Sequence, residues 1–446
     1  MATFTYKQQI QQKWKKSEKE HKNDSEALHI NQSLQLQGQA NLLGAKNAVL
    51  VMIASLILTE GKSTLRNVPA SSDVLHMIGL LKELGAEVLF NTDEHTLEVD
   101  TSFIRFHYVR PEIMKKMRAS ILVMGPLLAR FGKAEIALPG GCLIGSRPVD
   151  FHLKNFLKMG VAIHEEKDML YAQVKQLEPA HIVLEYPSVG ATENITMAAV
   201  LTPGKTTIIN ASLEPEVMEL ITVLKKMGAL ITIHPPATIE IEGVSSLHPI
   251  EHEVLVDRLE AGALLLAAAI TGGSVHLPNA CYQHLDVFLL KLEEMGHAIQ
   301  LGADGIGITL HATMQPKAVS LRTAPYPGFP TDLQAPMMAA LALAEGKSVI
   351  HETVFENRFL HIPELKKMGA QITLEGDRAY ITGVEELYGT HVIAADIRAS
   401  CALVLAGLAA KGTTIVTGVR HWKRGYDALD KKLQSLGAQI FLKTGN

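Results

Sequence analysis

The sequence predicts an α/β protein of two similar lobes built from six copies of one unit, and three observations carry that expectation. One phrase recurs as LLKELGAEV, FLKMGVAI, VLKKMGALI, KLEEMGHAI, ELKKMGAQI and KLQSLGAQI, with glycines at Gly85, Gly160, Gly228, Gly296, Gly369 and Gly437 that lie 68 to 75 residues apart. A second phrase precedes each copy by 23 to 28 residues, as LTEGKSTL, LARFGKAEI, LTPGKTTI, ITGGSVHL, LAEGKSVI and LAAKGTTI. A chain of 446 residues also exceeds what one ordinary hydrophobic core holds, so three units per lobe are expected.

The elements of each unit follow from these phrases. The first phrase has helical apolar spacing, stops at a glycine suited to the left-handed C-terminal position, and continues into an alternating strand. The second is a helix end, a glycine, and a strand rich in Thr, Val and Ile. Each unit is therefore helix, strand, helix, strand and further strand.

The first helix of every unit has an unusual start. Counting back 14 residues from Gly61, Gly132, Gly204, Gly272, Gly346 and Gly412 gives Asn47, Arg118, Gly190, Arg258, Asp332 and Arg398. A charge opening an otherwise apolar helix is odd unless that end faces a solvated cleft. Simple capping suits Asp332 but not the arginines, which oppose the positive end of the helix dipole. Arginine and dipole are reconciled if an anion lies between them, so the helix starts are expected to line an anion-binding cleft.

Composition narrows the function. The 42 basic and 46 acidic side chains nearly balance, which gives no case for nucleic acid or a membrane surface as partner. The apolar stretches near residues 48–58, 263–270 and 401–410 fall short of the roughly 18 residues a membrane helix needs, and read as buried core helices. Residues 1–30 have lysines and glutamines where a signal peptide would be apolar, so a cytoplasmic protein is expected. Residues 1–33 read as a polar N-terminal extension, a solvated helix or a disordered tail. Cys142, Cys281 and Cys401 are too few and scattered for a disulfide framework or zinc site; Cys281 and Cys401 read as core thiols.

Three segments carry candidate chemistry. Ala137-Leu-Pro-Gly-Gly-Cys-Leu-Ile-Gly-Ser-Arg-Pro-Val-Asp150 is a glycine-rich loop in which Arg147 would lower the pKa of the Cys142 thiol, although a glycine turn with an incidental cysteine has the same composition. Gly44-Ala-Lys-Asn47 opens a core helix with an ammonium, without the glycine spacing of a Walker loop. The proline-rich run from Thr323 to Asp332 fixes Asp332 at a helix entry, as an N-cap or as a catalytic carboxylate.

Taken in order, GAKN, KMRASI, ARFG, PGGCLIGSRPVD, SVGAT, FPTDLQA, TVFENRF, DIRAS and RGY resemble the UDP-N-acetylglucosamine 1-carboxyvinyltransferases, enolpyruvyl transferases of peptidoglycan synthesis. The resemblance runs from about Leu36 to the C-terminus, and the PGGC to RPVD loop points to the sugar-nucleotide branch rather than the shikimate-phosphate branch. It implies a two-lobed, inside-out α/β barrel of six βαβαββ-type units, three per lobe. The first lobe would span residues 46–256, and the second residues 34–45 plus 257–446. It implies transfer of the enolpyruvyl group of phosphoenolpyruvate to the 3-hydroxyl of UDP-N-acetylglucosamine with release of phosphate, the first committed step toward the cell wall and so a determinant of cell shape and division. No metal or other cofactor is implied.

The same resemblance assigns roles. Cys142 would protonate the methylene carbon of phosphoenolpyruvate, and Asp332 would take the proton of the sugar 3-hydroxyl. Lys46, Arg118, Arg147, Arg358, Arg398 and Arg424 would cage the phosphate and carboxylate, with Lys46 and Arg398 counted among the catalytic groups. Asn47 would contact the amino sugar, and Pro148, Val149, Asp150, Phe151 and His152 would hold the uridine. Ser188, Val189, Gly190, Val354 and Asp396 complete the substrate-binding set. The sequence departs from the family's usual basic residues at Ser72, Tyr186 and Leu213, and Leu43 replaces a small polar residue, so a weaker hold on the diphosphate, or another hydroxyl acceptor for the same chemistry, is an alternative expectation.

Overall fold

A computed structural model describes residues 26–138 and 149–444. The described chain forms two compact units, one holding residues 43–138 and 149–255, the other residues 26–42 and 256–444.

Each unit contains three open, mixed sheets. In the 43–255 unit, Lys62–Arg66 pairs antiparallel with Thr96–Asp100, which pairs antiparallel with Glu87–Asn91, while Glu251–Glu253 lies parallel on the outer side of Lys62–Arg66. The same order recurs in His181–Val183, Lys205–Ile209, Thr238–Glu242 and Leu230–His234. It recurs again in Lys133–Ala137, Met169–Gln173 and Ala162–Glu166, where the parallel edge shrinks to a single bridge between Tyr108 and Glu135. In the other unit the parallel edges are Gln37–Gln39, Leu321–Arg322 and His391–Ile393, each beside the strand that follows a second-phrase glycine.

All twelve glycines of the two repeated phrases have positive φ, between 68° and 119°. The repeated helix stop predicted from them is therefore a backbone requirement. Gly85, at φ 105°, accepts the left-handed turn that ends Ser72–Leu84 and turns the chain into Glu87–Asn91.

The first helix of each repeat is buried almost all round. Lys46–Ser55, Val189–Ala199, Arg258–Thr271, Gln334–Leu341 and Ile397–Ala409 are largely apolar and bury nearly every residue, polar ones such as Glu193 and Asn194 included. Arg258–Thr271, Gln334–Leu341 and Ile397–Ala409 touch one another and form the centre of their unit. In the other unit, Met124–Phe131 and the short turn Arg118–Val123 before it pack against Lys46–Ser55 and Val189–Ala199 in the same way. The second helices, such as Ser72–Leu84 and Pro215–Lys226, bury one stripe and expose the other.

Two expectations need correction. Glu26–Asn31, within the stretch expected to be a polar extension, is a central strand between Thr413–Thr417 and Ile440–Thr444, with Leu28 and Ile30 in the core. Six residues of alternation are too little to announce a strand when both partners lie at the far end of the chain. Residues 1–25 lie outside the described residues. Cys401 is a buried core thiol as expected, but Cys281 is only partly buried, at the end of Ser274–Cys281.

Candidate active site

In the 256–444 unit Arg398, from one helix start, and Arg358 meet one carboxylate, Asp332. Asp332 lies in the short turn Thr331–Leu333 that leads into Gln334–Leu341, and its side chain caps no helix. Its Oδ2 accepts from Arg398 Nη2 at 2.6 Å, and its Oδ1 accepts from Arg358 Nη2. Asp332 keeps 26% of its side chain exposed, whereas Arg358 and Arg398 keep 3% and 6%. The accessible member of the trio is therefore the carboxylate.

Local structure explains why Arg398 can open a helix. The preceding Asp396 is the N-cap of Ile397–Ala409, its Oδ1 accepting from the backbone N–H of Arg398 at 2.8 Å and of Ala399 at 2.9 Å. Its negative charge answers the helix dipole, and the arginine side chain is left for other work. Asp257 does the same for Arg258–Thr271, accepting from Leu259 N and Glu260 N, while Arg258 stacks over the Tyr326 ring at 5.8 Å. Burial alone would lower the pKa of Arg398, but Asp332, Tyr426 and Asp257 outweigh it and hold the guanidinium well above its usual value.

Tyr426 was not marked as a site residue by the sequence. Its hydroxyl accepts from Arg398 Nη1 at 3.0 Å, and its ring lies 5.6 Å under the same guanidinium. Trp422 backs that ring at 5.0 Å between centroids. Burial, with the Cys401 thiol alongside, pushes the Tyr426 pKa well up, so the phenol stays protonated. Burial likewise pushes the Cys401 thiol up to about 11 and leaves it unreactive at neutral pH. Only the third residue of RGY hinted at this role. Arg424 sits half-buried in the last turn of Val419–Gly425, and Val354 follows the buried Glu352, whose Oε1 accepts from its N–H at 2.9 Å.

The 43–255 unit arranges its candidates differently. Lys46 is the first residue of its helix and only 8% exposed, with Nζ 3.3 Å from Asp73 Oδ2. Asn47 beside it is exposed. The helix entry is set by Leu255, whose carbonyl accepts from Ala45 N at 2.8 Å. Leu255 N in turn donates to Glu219, which also bonds His252.

His152 is buried in Asp150–Lys158, and the Asn194 side-chain amide lies 3.0 Å from its Nδ1. Asn194 also donates to Ile121 O and accepts from Gly125 N at 2.7 Å, so one amide joins three helices. Gly125 has no alternative, since a Cβ there would come within 2.2 Å of the Asn194 carbonyl oxygen. With Asn194 as donor, Nδ1 is an acceptor and the ring is neutral. Burial, reinforced by the Arg118 charge, lowers the His152 pKa to about 3. Asn194 is a residue the sequence did not single out.

Ser188 caps Val189–Ala199 by accepting from Ala191 N, and Gly190 lies against the His152 ring, where a Cβ would sit 3.4 Å from Cε1. Farther along this helix Glu193 is buried, and burial, then the charges of Glu216 and Glu214, raise its pKa well above the usual carboxyl value. Val149, Asp150 and Phe151 are half-buried at the start of Asp150–Lys158. Cys142, Arg147 and Pro148 lie outside the described residues. Among the described residues, no group of three or more His, Cys, Asp or Glu side chains could hold a metal ion.

Comparison with known proteins gives the chain its family. Residues 30–433 match the family model of EPSP synthase (3-phosphoshikimate 1-carboxyvinyltransferase). The chain is 48% identical over 413 residues to UDP-N-acetylglucosamine 1-carboxyvinyltransferase 1 of Staphylococcus epidermidis, covering 92% of this chain and 98% of that one. It is 48% identical over 415 residues to UDP-N-acetylglucosamine 1-carboxyvinyltransferase 2 of Staphylococcus saprophyticus, covering 93% and 98%. The chain belongs to the enolpyruvyl transferase family.

Solved structures agree on the enolpyruvyl transferase fold. The enolpyruvyl transferase NikO from Streptomyces tendae superposes with a TM-score of 0.86 at 24% identity, covering 94% of this chain and 99% of that one. EPSP synthase from Acinetobacter baumannii gives 0.73 at 18% identity, covering 94% and 100%. At such identities the likeness is one of architecture, an α/β fold with mixed sheets. It is the resemblance carried by PGGC, FPTDLQA and DIRAS that the family match bears out.

Proposed function

We propose that this enolpyruvyl transferase moves the enolpyruvyl group of phosphoenolpyruvate onto the 3-hydroxyl of UDP-N-acetylglucosamine, releasing phosphate and opening the route to peptidoglycan in the cytoplasm. The observation that carries the reading is near-full-length identity of 48% to transferases of that name, joined to a solvent-accessible carboxylate held by two buried arginines. Asp332 takes the hydroxyl proton as the oxygen bonds to the substituted carbon of phosphoenolpyruvate. Cys142 delivers a proton to the methylene carbon. Loss of phosphate and of a proton from the resulting methyl group then restores the double bond in the product. Lys46, Arg118, Arg147, Arg358, Arg398 and Arg424 hold the anionic groups, since arginines stay charged and grip phosphate at two points. Asn47, Pro148 to His152, Ser188 to Gly190, Val354 and Asp396 form the acceptor side.

The same reading gives the fold its finer form. Each lobe is an inside-out α/β barrel of three βαβαββ-type units, the first on the unit of residues 43–255 and the second on the unit of residues 26–42 and 256–444. The mutually packed core helices of each unit support it. A second acceptor reading rests on Ser72, Tyr186 and Leu213, which stand where relatives are expected to carry cations; Tyr186 is exposed and Ser72 opens Ser72–Leu84.

Phosphate release from phosphoenolpyruvate, with and without UDP-N-acetylglucosamine, tests the activity. Release that depends on the sugar nucleotide is the expected result, and a better kcat/KM for another uridine nucleotide would move the acceptor assignment. A phosphonate epoxide that mimics phosphoenolpyruvate should alkylate Cys142 and stop turnover. An adduct found by mass spectrometry on Cys281 or Cys401 would remove Cys142 from its role.

A further inference from the structure

Glu352 is a carboxylate buried in the 256–444 unit, 4% exposed, and its side-chain bonds go to the two segments that carry Asp332 and Arg358. Its Oε1 accepts from Thr323 Oγ1 at 2.9 Å, from Val354 N at 2.9 Å and from Phe355 N at 3.2 Å. Its Oε2 accepts from Thr331 Oγ1 at 2.9 Å. Thr323 opens the proline-rich run, and Thr331 adjoins Asp332 at its end. Val354 and Phe355 begin the turn that leads to Arg358, whose guanidinium lies 5.5 Å over the Phe355 ring. The run and the turn are stitched again at Thr323, which accepts from Thr353 N at 2.9 Å while its carbonyl accepts from Thr353 Oγ1 at 2.6 Å.

A buried ionised carboxylate is costly unless its lone pairs are filled, and here four donors fill them. No lysine or arginine side chain is bonded to it among the described residues, so its partners are oriented N–H and O–H dipoles. Such a group contributes geometry more than net stability. If its oxygens move, Thr331 and Phe355 move, and with them the carboxylate and one of the guanidiniums it faces.

We infer that Glu352 is a positioning residue, a carboxylate hub that sets the distance between Asp332 and Arg358 and the placement of Val354. Glu352 does not itself meet the reacting atoms. Its two oxygens divide the work. Oε2 fixes the residue next to Asp332, and Oε1 fixes the Val354 turn on the acceptor side. The inference rests on the roles proposed above for Asp332 and Val354, and the two oxygens give it separable consequences.

Three variants test it in the full-length protein. Thr331→Val removes only the Oε2 bond and should lower kcat on the order of 10-fold while the KM for UDP-N-acetylglucosamine hardly changes, because a displacement of the base of a fraction of an ångström is felt in the transition state. Glu352→Leu removes both arms and should lower kcat by about 10²-fold and raise that KM together. Glu352→Gln should recover most of the loss, since its carbonyl can serve the three Oε1 donors and the Thr331 hydroxyl can reverse to accept from the amide. Amide hydrogen exchange at Val354 and Phe355 reads the hub without reference to turnover, and should quicken in Glu352→Leu but not in Thr331→Val. Should Glu352→Leu fail to fold, Thr331→Val and Glu352→Gln decide. Unchanged kcat in Thr331→Val, or no recovery in Glu352→Gln, overturns the inference. A wild-type protein that releases no phosphate sinks the proposed activity instead, and the exchange pattern still judges the hub.

Discussion

Two regions, one in each unit, hold ionisable groups beside buried helices in opposite ways. Around Asp332 the charges are opposite and paired, with one carboxylate between two buried guanidiniums and a protonated phenol behind. Around His152 and Glu193 the groups are neutralised, the imidazole by burial beside Arg118 and the carboxyl by burial beside two further glutamates. The first arrangement keeps full charges ready for an anion. The second keeps proton-bearing groups uncharged and builds shape through hydrogen bonds such as those of Asn194. Breaking an ion pair should therefore hurt at every ordinary pH, whereas breaking the neutral cluster should show in how stability depends on pH.

The largest expected effect is in the paired region. Asp332→Ala leaves Arg358 and Arg398 facing each other with no carboxylate, which should destabilise the protein by about 3–5 kcal/mol, the usual consequence of stripping one partner from a buried pair. Denaturant unfolding measures this, and added phosphate should recover part of it by occupying the arginines. The same variant should lose on the order of 10² to 10⁴ in kcat, the range of a general base. If stability is unchanged, the trio is not preorganised by its carboxylate and the contrast between the units fails.

Much of this region was legible in the sequence, for a physical reason. Arg258 and Arg398 violate the preference of a helix start for anions, and the six-fold repeat places them at positions equivalent to Asp332. What could not be read was the partner that makes each violation tolerable. Asp257 and Asp396 are ordinary N-caps, visible once the helix start is known to the residue. Tyr426 meets Arg398 from 28 positions away, and Asn194 meets His152 from 42, with no periodicity linking either pair. Glu26–Asn31 failed for the same reason on a larger scale, because its neighbours in the sheet come from the last repeat. Local patterns announce elements, while contacts across the chain announce themselves only through a resemblance.

The neutral region makes a prediction about pH. His152 has a folded pKa of about 3 against an ordinary value of 6.5, so lowering the pH through 6.5 protonates the unfolded chain first and stability falls by about 1.4 kcal/mol per pH unit until the folded value is reached. His297 and His361, each lowered to about 4 by burial, add to that acid limb. Glu193 has the opposite sign. Its raised folded pKa gives stability that is complete below about 4.5 and is lost as the pH climbs toward the folded value. Unfolding midpoints across pH should show Glu193→Gln stabilising the protein above neutrality, and His152→Gln flattening part of the acid limb. If Glu193→Gln is destabilising at pH 8, the carboxyl is ionised in the folded protein and the neutral cluster is misread.

The smallest effect concerns the rim of the same unit, where Tyr186 stands in place of an expected cation. The residue is 36% exposed, and its carbonyl accepts from the N–H of Ser188, the cap of Val189–Ala199, at 2.7 Å. A lysine there would carry its ammonium on a long, solvated stem, and a surface charge pair contributes no more than about 1 kcal/mol. Tyr186→Lys should therefore lower the KM for UDP-N-acetylglucosamine by roughly two- to five-fold and leave kcat alone, since 1.4 kcal/mol corresponds to about ten-fold and the position is not one that meets the reacting carbon. The gain should shrink with added salt, because an exposed cation is screened where a buried pair is not. A KM that does not move, beside an improved kcat/KM for some other uridine nucleotide, would mean that tyrosine at this position selects a different acceptor rather than a weaker grip on the usual one.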